Sequence, residues 1–452
     1  MSETHHTPGE LYGTLIRLAI PIMLANLLQM LYNLADAYFL GKLGKEAVSA
    51  PTISFNLVML LVVFGMGLAM AGTTLIAQSK GKGDRERVDF YLAQVTMLLA
   101  AASVVISAAG LLLARPILMA LQVPEAAFAP TYTYLTIIFA GLPLMFIFFI
   151  AQSAMQGIGD SMTPLIIQAA TVVINVLLDP AFIFGFGFIP ALGVAGAAYA
   201  TIISRAFASV VAVLILLRGN RGLQYHRRHF RPDRKAMGLL FRIGMPASIG
   251  QGLSALGFTV LQGIVNGFGT AVVAAFGVGN RIIGLFNMPA MGFSRATASL
   301  VGQRLGARRP DQAKTVVKQS VLTVFVFITI GMTLTFFFGN RVVRFFVDDP
   351  EVIRHGALMF RIISVSVIPF AMFMVTNGAF QGGGDTKPVM YLNIMRLWGL
   401  RVPIAAVLAF WVGIGPPSIW IAMFISNIVT ASVGFAILRQ GRWLTKINPD
   451  EI

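Results

Sequence analysis

The chain has 452 residues, of which 57% are hydrophobic and only 12% are charged, whereas soluble domains carry roughly a quarter charged residues. This composition excludes an ordinary soluble protein and indicates a polytopic membrane protein, and the absence of cysteine excludes disulfides, thiolate chemistry and cysteine-ligated metals. The net charge of +16 is compatible with a nucleic acid partner, but its placement along the chain indicates a role in membrane topology.

Twelve stretches are apolar over about 20 residues, which is the length that crosses a bilayer as a helix. We therefore predict an all-α fold with transmembrane helices near 14 to 38, 53 to 78, 90 to 114, 131 to 155, 163 to 186, 193 to 217, 239 to 265, 277 to 300, 317 to 339, 357 to 379, 389 to 411 and 416 to 437. The N-terminal sequence MSETHHTPGE has no basic segment followed by a short apolar core and a cleavage site. We expect no cleaved signal peptide, and we expect the first helix to act as signal and anchor.

Lysine and arginine collect in alternate loops of this predicted bundle. The loops at 80 to 87, 218 to 235 and 304 to 318 and the tail at 439 to 446 are rich in basic residues, and the opposite loops are poorer. Short cytoplasmic loops collect positive charge, so both termini are predicted to be cytoplasmic. The basic segment 218 to 238 is then a cytoplasmic linker that lies on anionic headgroups, which we favour over binding to nucleic acid.

The two halves of the chain are similar at one constant offset in residue number. The turn MQGIGDSMTP, which contains Asp160, resembles FQGGGDTKP, which contains Asp385, and at the same offset Pro21 matches Pro246. Chance similarity between apolar segments would not hold one register over such a distance, so the sequence indicates an internal duplication. Because both matched acids lie in glycine-rich turns, we expect them to be turn and helix-cap residues.

The duplication divides the chain into an N-terminal lobe at 1 to 217, the linker at 218 to 238 and a C-terminal lobe at 239 to 452. Each lobe has six predicted helices, so both copies enter the membrane from the same side, and a pseudo-two-fold axis along the membrane normal relates them. Secondary transporters use this arrangement with the substrate path between the halves. The duplication therefore favours alternating access over a passive channel.

The first helix carries an acid inside an apolar segment. Asn26, Gln29, Asn33 and Asp36 are spaced so that they share one helix face. A carboxylate that faces lipid costs several kcal/mol, so this face is expected to line a polar interior, with Asn33 and Asp36 as site residues and Gln29 as a lining residue. Their counterparts in the second half are Gln251, Ser254, Phe258 and Leu261. The acid is thus present in the first half only.

A second intramembrane acid, Asp179, lies in the fifth helix. Asn175 precedes it by four residues on the same face, and Pro180 leaves the carbonyl of Val176 without a donor. The depths of Asp36 and Asp179 along their helices are compatible with contact. Two carboxylates in one low-dielectric pocket cannot both ionise cheaply, so the pair is expected to take up a proton or hold a small cation such as Na⁺.

Two further side chains are candidates to add an oxygen to this pocket. Thr201 on the sixth helix lies at a similar depth, and Gln152 on the fourth helix lies nearer the cytoplasm. The alternative is that Asp36 and Asp179 only make structural hydrogen bonds between helices. Intramembrane acids are costly and usually functional, which favours the ion site.

Basic side chains also occur within the apolar segments. Arg205 and Arg361 lie near helix ends and are expected to snorkel to the interface. Other residues are candidates to line a cavity in the second half, where they would favour anionic groups or partner the acids. They are Asn280, Arg281, Arg396 and Arg401.

The sequence has no nucleotide-binding P-loop, no HExxH zinc motif and no serine hydrolase elbow. We therefore expect neither an enzyme nor a bound cofactor. The energy source is expected to be an ion gradient.

With these motifs the chain resembles the multidrug and toxic compound extrusion (MATE) family over nearly its whole length, and more loosely the wider superfamily that holds polysaccharide and lipid-precursor flippases. The resemblance rests on the repeated QGxGD turns, on the opening IPIMLANLLQMLYNLADAYFLGKLG, on NVLLDPAFIFGFG in the fifth helix and on ALGVAGAAYATIIS at the sixth. Each motif is weak alone, but together they are specific.

The resemblance implies two six-helix lobes in a V shape that export cationic, amphipathic drugs in exchange for inward H⁺ or Na⁺. It assigns coupling-ion roles to Asp36, Asn175 and Asp179, with an amide at Gln152, where the family has Asn, and a hydroxyl at Thr201. The predicted helices 7, 8, 10 and 11 contain no acid. This pattern resembles the DinF-like branch of the family, with ion coupling in the N-terminal lobe alone.

We therefore expect a monomeric multidrug efflux antiporter of a prokaryotic plasma membrane, with drugs and membrane lipids as its partners and no nucleic acid. The alternative is a lipid-linked-precursor flippase of the same superfamily, which the arginines of the second half would favour if they face a cavity and bind a pyrophosphate. A count of twelve helices rather than more, together with the acidic pocket of the first half, favours the antiporter.

Overall fold

The computed structural model describes residues 7–187, 189–219 and 221–447. Within these residues, twelve helices are long and apolar enough to cross a membrane, and we number them α1 to α12 in chain order. Their bounds are Pro8–Gly41, Lys45–Lys82, Arg85–Ala120, Glu125–Gly157, Met162–Ile183, Val194–Arg218, Arg234–Asn266, Thr270–Gly306, Pro310–Phe346, Pro350–Gly382, Thr386–Trp411 and Pro417–Arg439. α11 contains two π-helical segments, Met395–Arg401 and Val407–Trp411.

The predicted all-α fold with twelve transmembrane helices is confirmed. Most helices extend beyond their predicted apolar stretches, because polar and charged residues continue the helix at its ends; α8, for example, ends at Gly306 rather than near 300 and includes Gln303 and Arg304. α5 is an exception, since it ends at Ile183 and not near 186. The chain turns two residues later at Gly185, which has a φ of +84°, a conformation that glycine adopts without a steric penalty.

The helices form two compact units. The N-terminal unit is Leu24–Ser248, and the C-terminal unit is Ile249 onward together with the described residues up to Met23. The division points after Met23 and after Ser248 are matched positions of the duplication. These units differ from the predicted lobes, because α1 and α7 are each divided within the helix. The first part of α1 belongs to the C-terminal unit, and the first part of α7 belongs to the N-terminal unit.

Close packing at two matched glycines explains this division. In the C-terminal unit, Gly292 of α8 lies against Met23 and the Ala19 carbonyl of α1, where a Cβ atom would collide. In the N-terminal unit, the corresponding Gly67 of α2 lies against Ser248 of α7. Small residues let membrane helices approach closely, so both helix starts are held by the same contact.

Each unit is organised around one central helix. In the N-terminal unit α4 packs against α2, α3 and α6, and in the C-terminal unit its counterpart α10 packs against α8, α9 and α12. Gly157 of α4 faces Ile76 and the Thr73 carbonyl, and its counterpart Gly382 faces Val301 and the Ala298 carbonyl. The duplication seen in the sequence is therefore repeated in the packing of the helices.

The two QGxGD turns have the same backbone. Gly159 and Gly384 have φ values of +81° and +74°, and the amides of Asp160 and Asp385 each donate to a carbonyl five residues earlier at 2.8 Å. The Asp160 carboxylate accepts from the backbone and the hydroxyl of Thr163 at 3.0 and 2.6 Å. The predicted capping role of Asp160 is confirmed, while the Asp385 carboxylate pairs with Lys446 at 3.2 Å.

The linker between α6 and α7 is anchored on α3. Gln94 Nε2 donates to the carbonyls of His229 and Arg231 at 3.0 and 2.9 Å, and its Oε1 accepts from the Asp233 amide at 3.0 Å. Asp89 accepts from the Gln224 amide at 2.7 Å. The arginine side chains of the linker stay exposed, so the backbone is held while the charges remain available.

Replacing Gln94 by Ala is expected to release this linker. The change removes three hydrogen bonds, each worth about 1 kcal/mol, so we expect trypsin to cleave after the exposed arginines at least about tenfold faster. Limited proteolysis of the purified protein, with fragments identified by mass spectrometry, measures the rate. Gln262→Ala is the matched control, because Gln262 is a half-buried glutamine of α7 that bonds only to Asn266 of the same helix among the described residues. Equal rates for the two variants would show that other contacts hold the linker.

Candidate functional site

α5 carries a face of buried polar side chains. Gln168, Thr171, Asn175 and Asp179 recur at intervals of three or four residues, and each is at most 4% exposed. The Thr171 hydroxyl donates to the Ile167 carbonyl at 2.7 Å and is satisfied within its own helix. Gln168 and Asp179 meet polar groups from α1 and α6, and Asn175 donates to Asp179, which makes this face the centre of the candidate site.

Asp36 of α1 and Asp179 of α5 bring their carboxyl groups together. The two side chains lie close enough for their carboxyl groups to interact, and Asn175 Nδ2 donates to Asp179 Oδ1 at 3.2 Å. Asp36 Oδ1, Asp179 Oδ2 and Asn175 Oδ1 are buried and accept from no donor among the described residues. Because two carboxylates repel each other at short range, such a pair is suited to sharing a proton or holding a small cation.

Arg205 of α6 belongs to this buried network. Its side chain is only 6% exposed, its NH2 donates to Gln29 Oε1 at 2.7 Å, and its NH1 donates to Gln168 Oε1 at 3.2 Å. Gln168 Nε2 also donates to Gln29 Oε1 at 3.2 Å. The prediction that Arg205 snorkels is wrong, because two amide oxygens inside the unit accept its hydrogen bonds, whereas Arg361 is exposed.

Two tyrosines lie beside the acids. Tyr32 of α1 is 3% exposed and donates to Thr201 Oγ1 at 2.9 Å, and its ring lies 5.0 Å from the Arg205 guanidinium. Tyr134 of α4 lies close enough to Asp36 and Asp179 for their charges to act on its hydroxyl. The acids are thus surrounded by hydroxyl, amide and guanidinium groups from four helices of one unit.

The remaining predicted site residues are placed less centrally. Thr201 is buried and joins the cluster through Tyr32, and Asn33 is exposed and accepts from Gln29 Nε2 at 3.2 Å. Gln152 is half-buried and makes no hydrogen bond to any described residue. The structure therefore brings together both acids, Asn175, Gln29 and Thr201, with Asn33 at the edge, and does not join Gln152 to them.

The charges of the cluster nearly balance. Two carboxylates and the Arg205 guanidinium carry a net charge of −1, and one proton or one sodium ion bound at the pair brings the sum to zero. Carboxylate and amide oxygens are hard ligands that suit a small cation, and the same carboxylates accept a proton. The cluster can therefore take up and release one monovalent cation.

In the C-terminal unit, the structure brings two of the predicted lining residues together. Arg396 and Arg401 of α11 are buried, and both guanidinium groups lie within 6 Å of the Phe258 ring centre. Arg281 is exposed and Asn280 is half-buried, and neither has a hydrogen bond to another described residue. Only the α11 pair forms a cluster among these four.

Some residues of the acidic cluster were not identified from the sequence, although spacing pointed to three of them. Gln168 lies seven residues before Asn175 and shares its helix face, Tyr32 lies four residues before Asp36, and Arg205 lies four residues after Thr201. Tyr134 has no charged or amide side chain at helical spacing on α4, so no sequence pattern indicates it as part of an ion site.

Comparison with known families gives a match over most of the chain. The model of the family described as MatE matches residues 21–181 and again residues 246–407. The two matches begin at Pro21 and Pro246, which are matched positions of the duplication, so they coincide with its two copies.

Curated relatives and solved structures match over nearly the full length. The chain is 29% identical to the probable multidrug resistance protein YpnP of Bacillus subtilis, covering 97% of each chain. It is 30% identical to the probable multidrug resistance protein NorM of Thermotoga maritima, covering 96% of this chain and 93% of the relative. A crystal structure of a MATE protein in a bent conformation superposes with a TM-score of 0.90 at 26% identity, covering 98% of this chain and 97% of that one.

Proposed function

The chain belongs to the MATE family, which consists of membrane transporters and not enzymes, and we propose that it is a multidrug efflux antiporter that exports cationic, amphipathic compounds in exchange for H⁺ or Na⁺. The relatives YpnP and NorM are named probable multidrug resistance proteins, which supports drugs as the substrates. The antiport is supported by the acid pair described above.

One observation carries the ion coupling. Asp36 and Asp179 are in contact inside an apolar helical unit, and an oxygen of each lacks a donor among the described residues. Intramembrane acids are costly, and such pairs mark ion pathways. We assign Asp36, Asp179 and Asn175 as the ligands of the coupling ion, with Gln29, Arg205 and Tyr32 as groups that position them.

The ion would drive transport by binding differently to two conformations. In this mechanism, H⁺ or Na⁺ from outside binds at the acid pair and repacks α1, which displaces the drug and resets the transporter. An ion shifts such an equilibrium only by as much as its affinity differs between the two states. α1 is suited to the role, because Pro21 lies within it and cannot donate a backbone hydrogen bond to the turn before.

The finer points of location follow from charge and composition. We propose a prokaryotic plasma membrane, with both termini and the basic linker on the cytoplasmic side, as the distribution of lysine and arginine favours. We also propose a monomer that contacts lipids and no nucleic acid. We propose further that the coupling ion binds only in the half of the chain that holds Asp36 and Asp179, as the resemblance to the DinF-like branch implies.

A lipid-linked-precursor flippase is the second candidate. The observation in its favour is the buried pair Arg396 and Arg401, since guanidinium groups bind pyrophosphate well. The acid pair has no evident role in such a flippase, and the named relatives favour drug efflux. We therefore prefer the antiporter.

Transport by the purified protein in liposomes tests the proposal. Ethidium movement against its own concentration difference is followed by fluorescence while a pH gradient or a sodium gradient is imposed alone. We expect one gradient to drive ethidium transport and an ionophore that collapses that gradient to stop it. Transport driven by neither gradient, or lipid scrambling without ethidium transport, would contradict the antiporter.

A further inference from the structure

We infer that the C-terminal unit contains an anion-binding site formed by Arg396 and Arg401 of α11. The anion is either a small inorganic anion or the negatively charged group of a transported compound. The second of these, a charged group of the substrate, rests on the efflux function proposed above. The argument uses side chains of this unit only.

Both guanidinium groups are enclosed by protein. Arg396 is 7% exposed and Arg401 is 2% exposed. The Arg396 guanidinium lies 4.6 Å from the centre of the Phe370 ring and 5.6 Å from that of Phe258, and the Arg401 guanidinium lies 5.7 Å from the same Phe258 ring. The two positive charges therefore lie near one shared aromatic ring, that of Phe258, which is itself 40% exposed.

The two arginines differ in how they are held. Arg401 Nε donates to Ser426 Oγ at 2.9 Å and its NH2 donates to Asn427 Oδ1 at 2.6 Å, and Asn427 in turn donates to Ser366 Oγ at 3.3 Å. Arg396 donates to no described residue, and its Nε is buried without a partner. Arg401 is thus fixed by two acceptors of α12, one of which is itself bonded to α10, while Arg396 has donors without an acceptor among the described residues.

No carboxylate in the described part of this unit pairs with Arg396 or Arg401. The acids of its described part lie at helix ends or in loops, namely Glu10, Asp311, Asp348, Asp349, Glu351 and Asp385. Burying two like charges without a counter-charge is costly, and aromatic faces compensate only part of that cost. A bound anion would supply both the missing charge and the acceptors for Arg396.

The backbone of α11 is shaped to place both arginines on one side. In an α-helix, residues five apart point about 140° apart around the axis. The segment Met395–Arg401 is π-helical instead, and its hydrogen bonds join residue i to residue i+5, which brings residues 396 and 401 closer to the same side of the helix. π-helical turns cost stability and occur frequently at functional sites.

The duplication places this cluster at the counterpart of the acid site. Ser426, which accepts from Arg401, is the counterpart of Thr201, and Phe258 is the counterpart of Asn33. The same helices of the repeat thus build an acidic cluster in one unit and a basic cluster in the other. The reversal is explained if the acidic cluster binds a cation and the basic cluster binds an anion.

The first arm of the test measures anion binding by the full chain in phosphatidylcholine nanodiscs. Thermal unfolding is recorded in sodium chloride and in sodium gluconate at equal ionic strength, for the wild type, Arg396→Gln and Arg281→Gln. Arg281 is the matched control, because it is an exposed arginine of the same unit. We expect chloride to raise the melting temperature of the wild type and of Arg281→Gln, and not that of Arg396→Gln.

The second arm measures transport of two matched dyes in proteoliposomes. One is a cationic rhodamine methyl ester, and the other is the same rhodamine with a free carboxylate. If the anion belongs to the substrate, Arg396→Gln raises the KM for the carboxylate dye about tenfold or more and leaves the ester unchanged, as the loss of a charged hydrogen bond predicts.

The outcomes separate the alternatives. A chloride effect that needs Arg396, with both dyes affected equally, supports an inorganic anion, and selective loss of the carboxylate dye supports an anionic substrate group. If anions stabilise all three proteins alike and both dyes are transported alike by Arg396→Gln, the site is refuted. A wild type that transports neither dye contradicts the proposed efflux function, and the unfolding data then decide the anion site alone.

Discussion

Asn in place of Asp36 is expected to abolish ion-driven drug efflux while leaving a folded protein in the membrane. The amide has the size of the carboxyl group and donates a hydrogen bond to Asp179, so the contact persists without a shared proton or sodium ion. Without ion uptake at the pair, no difference in ion affinity remains to shift one conformation toward the other. Ethidium transport under each imposed gradient measures the loss, and size-exclusion chromatography reports the folded yield.

Asp311→Asn is the matched control, because Asp311 is exposed on α9 and pairs with Lys314 at 3.1 Å. We expect it to leave transport unchanged. Asp179→Asn should be as inactive as Asp36→Asn, and the double variant should be no worse than either, because the two acids take part in one binding event. Ion-driven efflux by Asp36→Asn at the wild-type rate would contradict ion coupling at the Asp36 and Asp179 pair.

The fold was predictable because its determinants are local or repeated in the sequence. Each span is visible as an apolar stretch of membrane length, and the duplication is visible as a constant offset that the packing of Gly157 and Gly382 repeats. The division of α1 at Met23 was not predictable, since hydropathy is continuous across it. That division depends on tertiary contacts, such as those of Gly292, which no single segment encodes.

The acids of the candidate site were predictable because a carboxylate inside an apolar helix is rare and costly. Arg205 was misassigned for a physical reason. A long side chain near a helix end can extend to the interface or turn inward, and the acceptors that decide between the two, Gln29 and Gln168, lie 176 and 37 residues away in the sequence. Gln152 was predicted as a site residue from its depth along α4, but the depth of a residue in a helix does not specify which way its side chain points.

Methionine in place of Arg205 is expected to impair both the stability of the N-terminal unit and the release of the coupling ion. The substitution keeps an unbranched side chain of similar length but removes the donors to Gln29 and Gln168, and each buried acceptor that loses its partner costs about 1–3 kcal/mol. Arg205 also acts electrostatically on Asp36. Without the guanidinium charge, the acid pair retains its proton or sodium ion more strongly, so turnover should fall while the ion still binds.

A double-mutant cycle separates the charge of Arg205 from its hydrogen bonds. If the guanidinium balances the acid pair, removing the charge of Asp36 in the same protein relieves part of the defect. The loss in unfolding free energy of Arg205→Met with Asp36→Asn, measured by thermal unfolding, is then smaller than the sum of the two single losses by about 0.5–3 kcal/mol. Gln29 lies seven residues before Asp36, about 10 Å along α1, so the hydrogen bonds of Arg205 alone would give additive losses. If the losses in unfolding free energy add, Arg205 has a packing role only. If the double variant loses less than the sum, Arg205 and the two acids form one electrostatic cluster that is neutral with one bound cation.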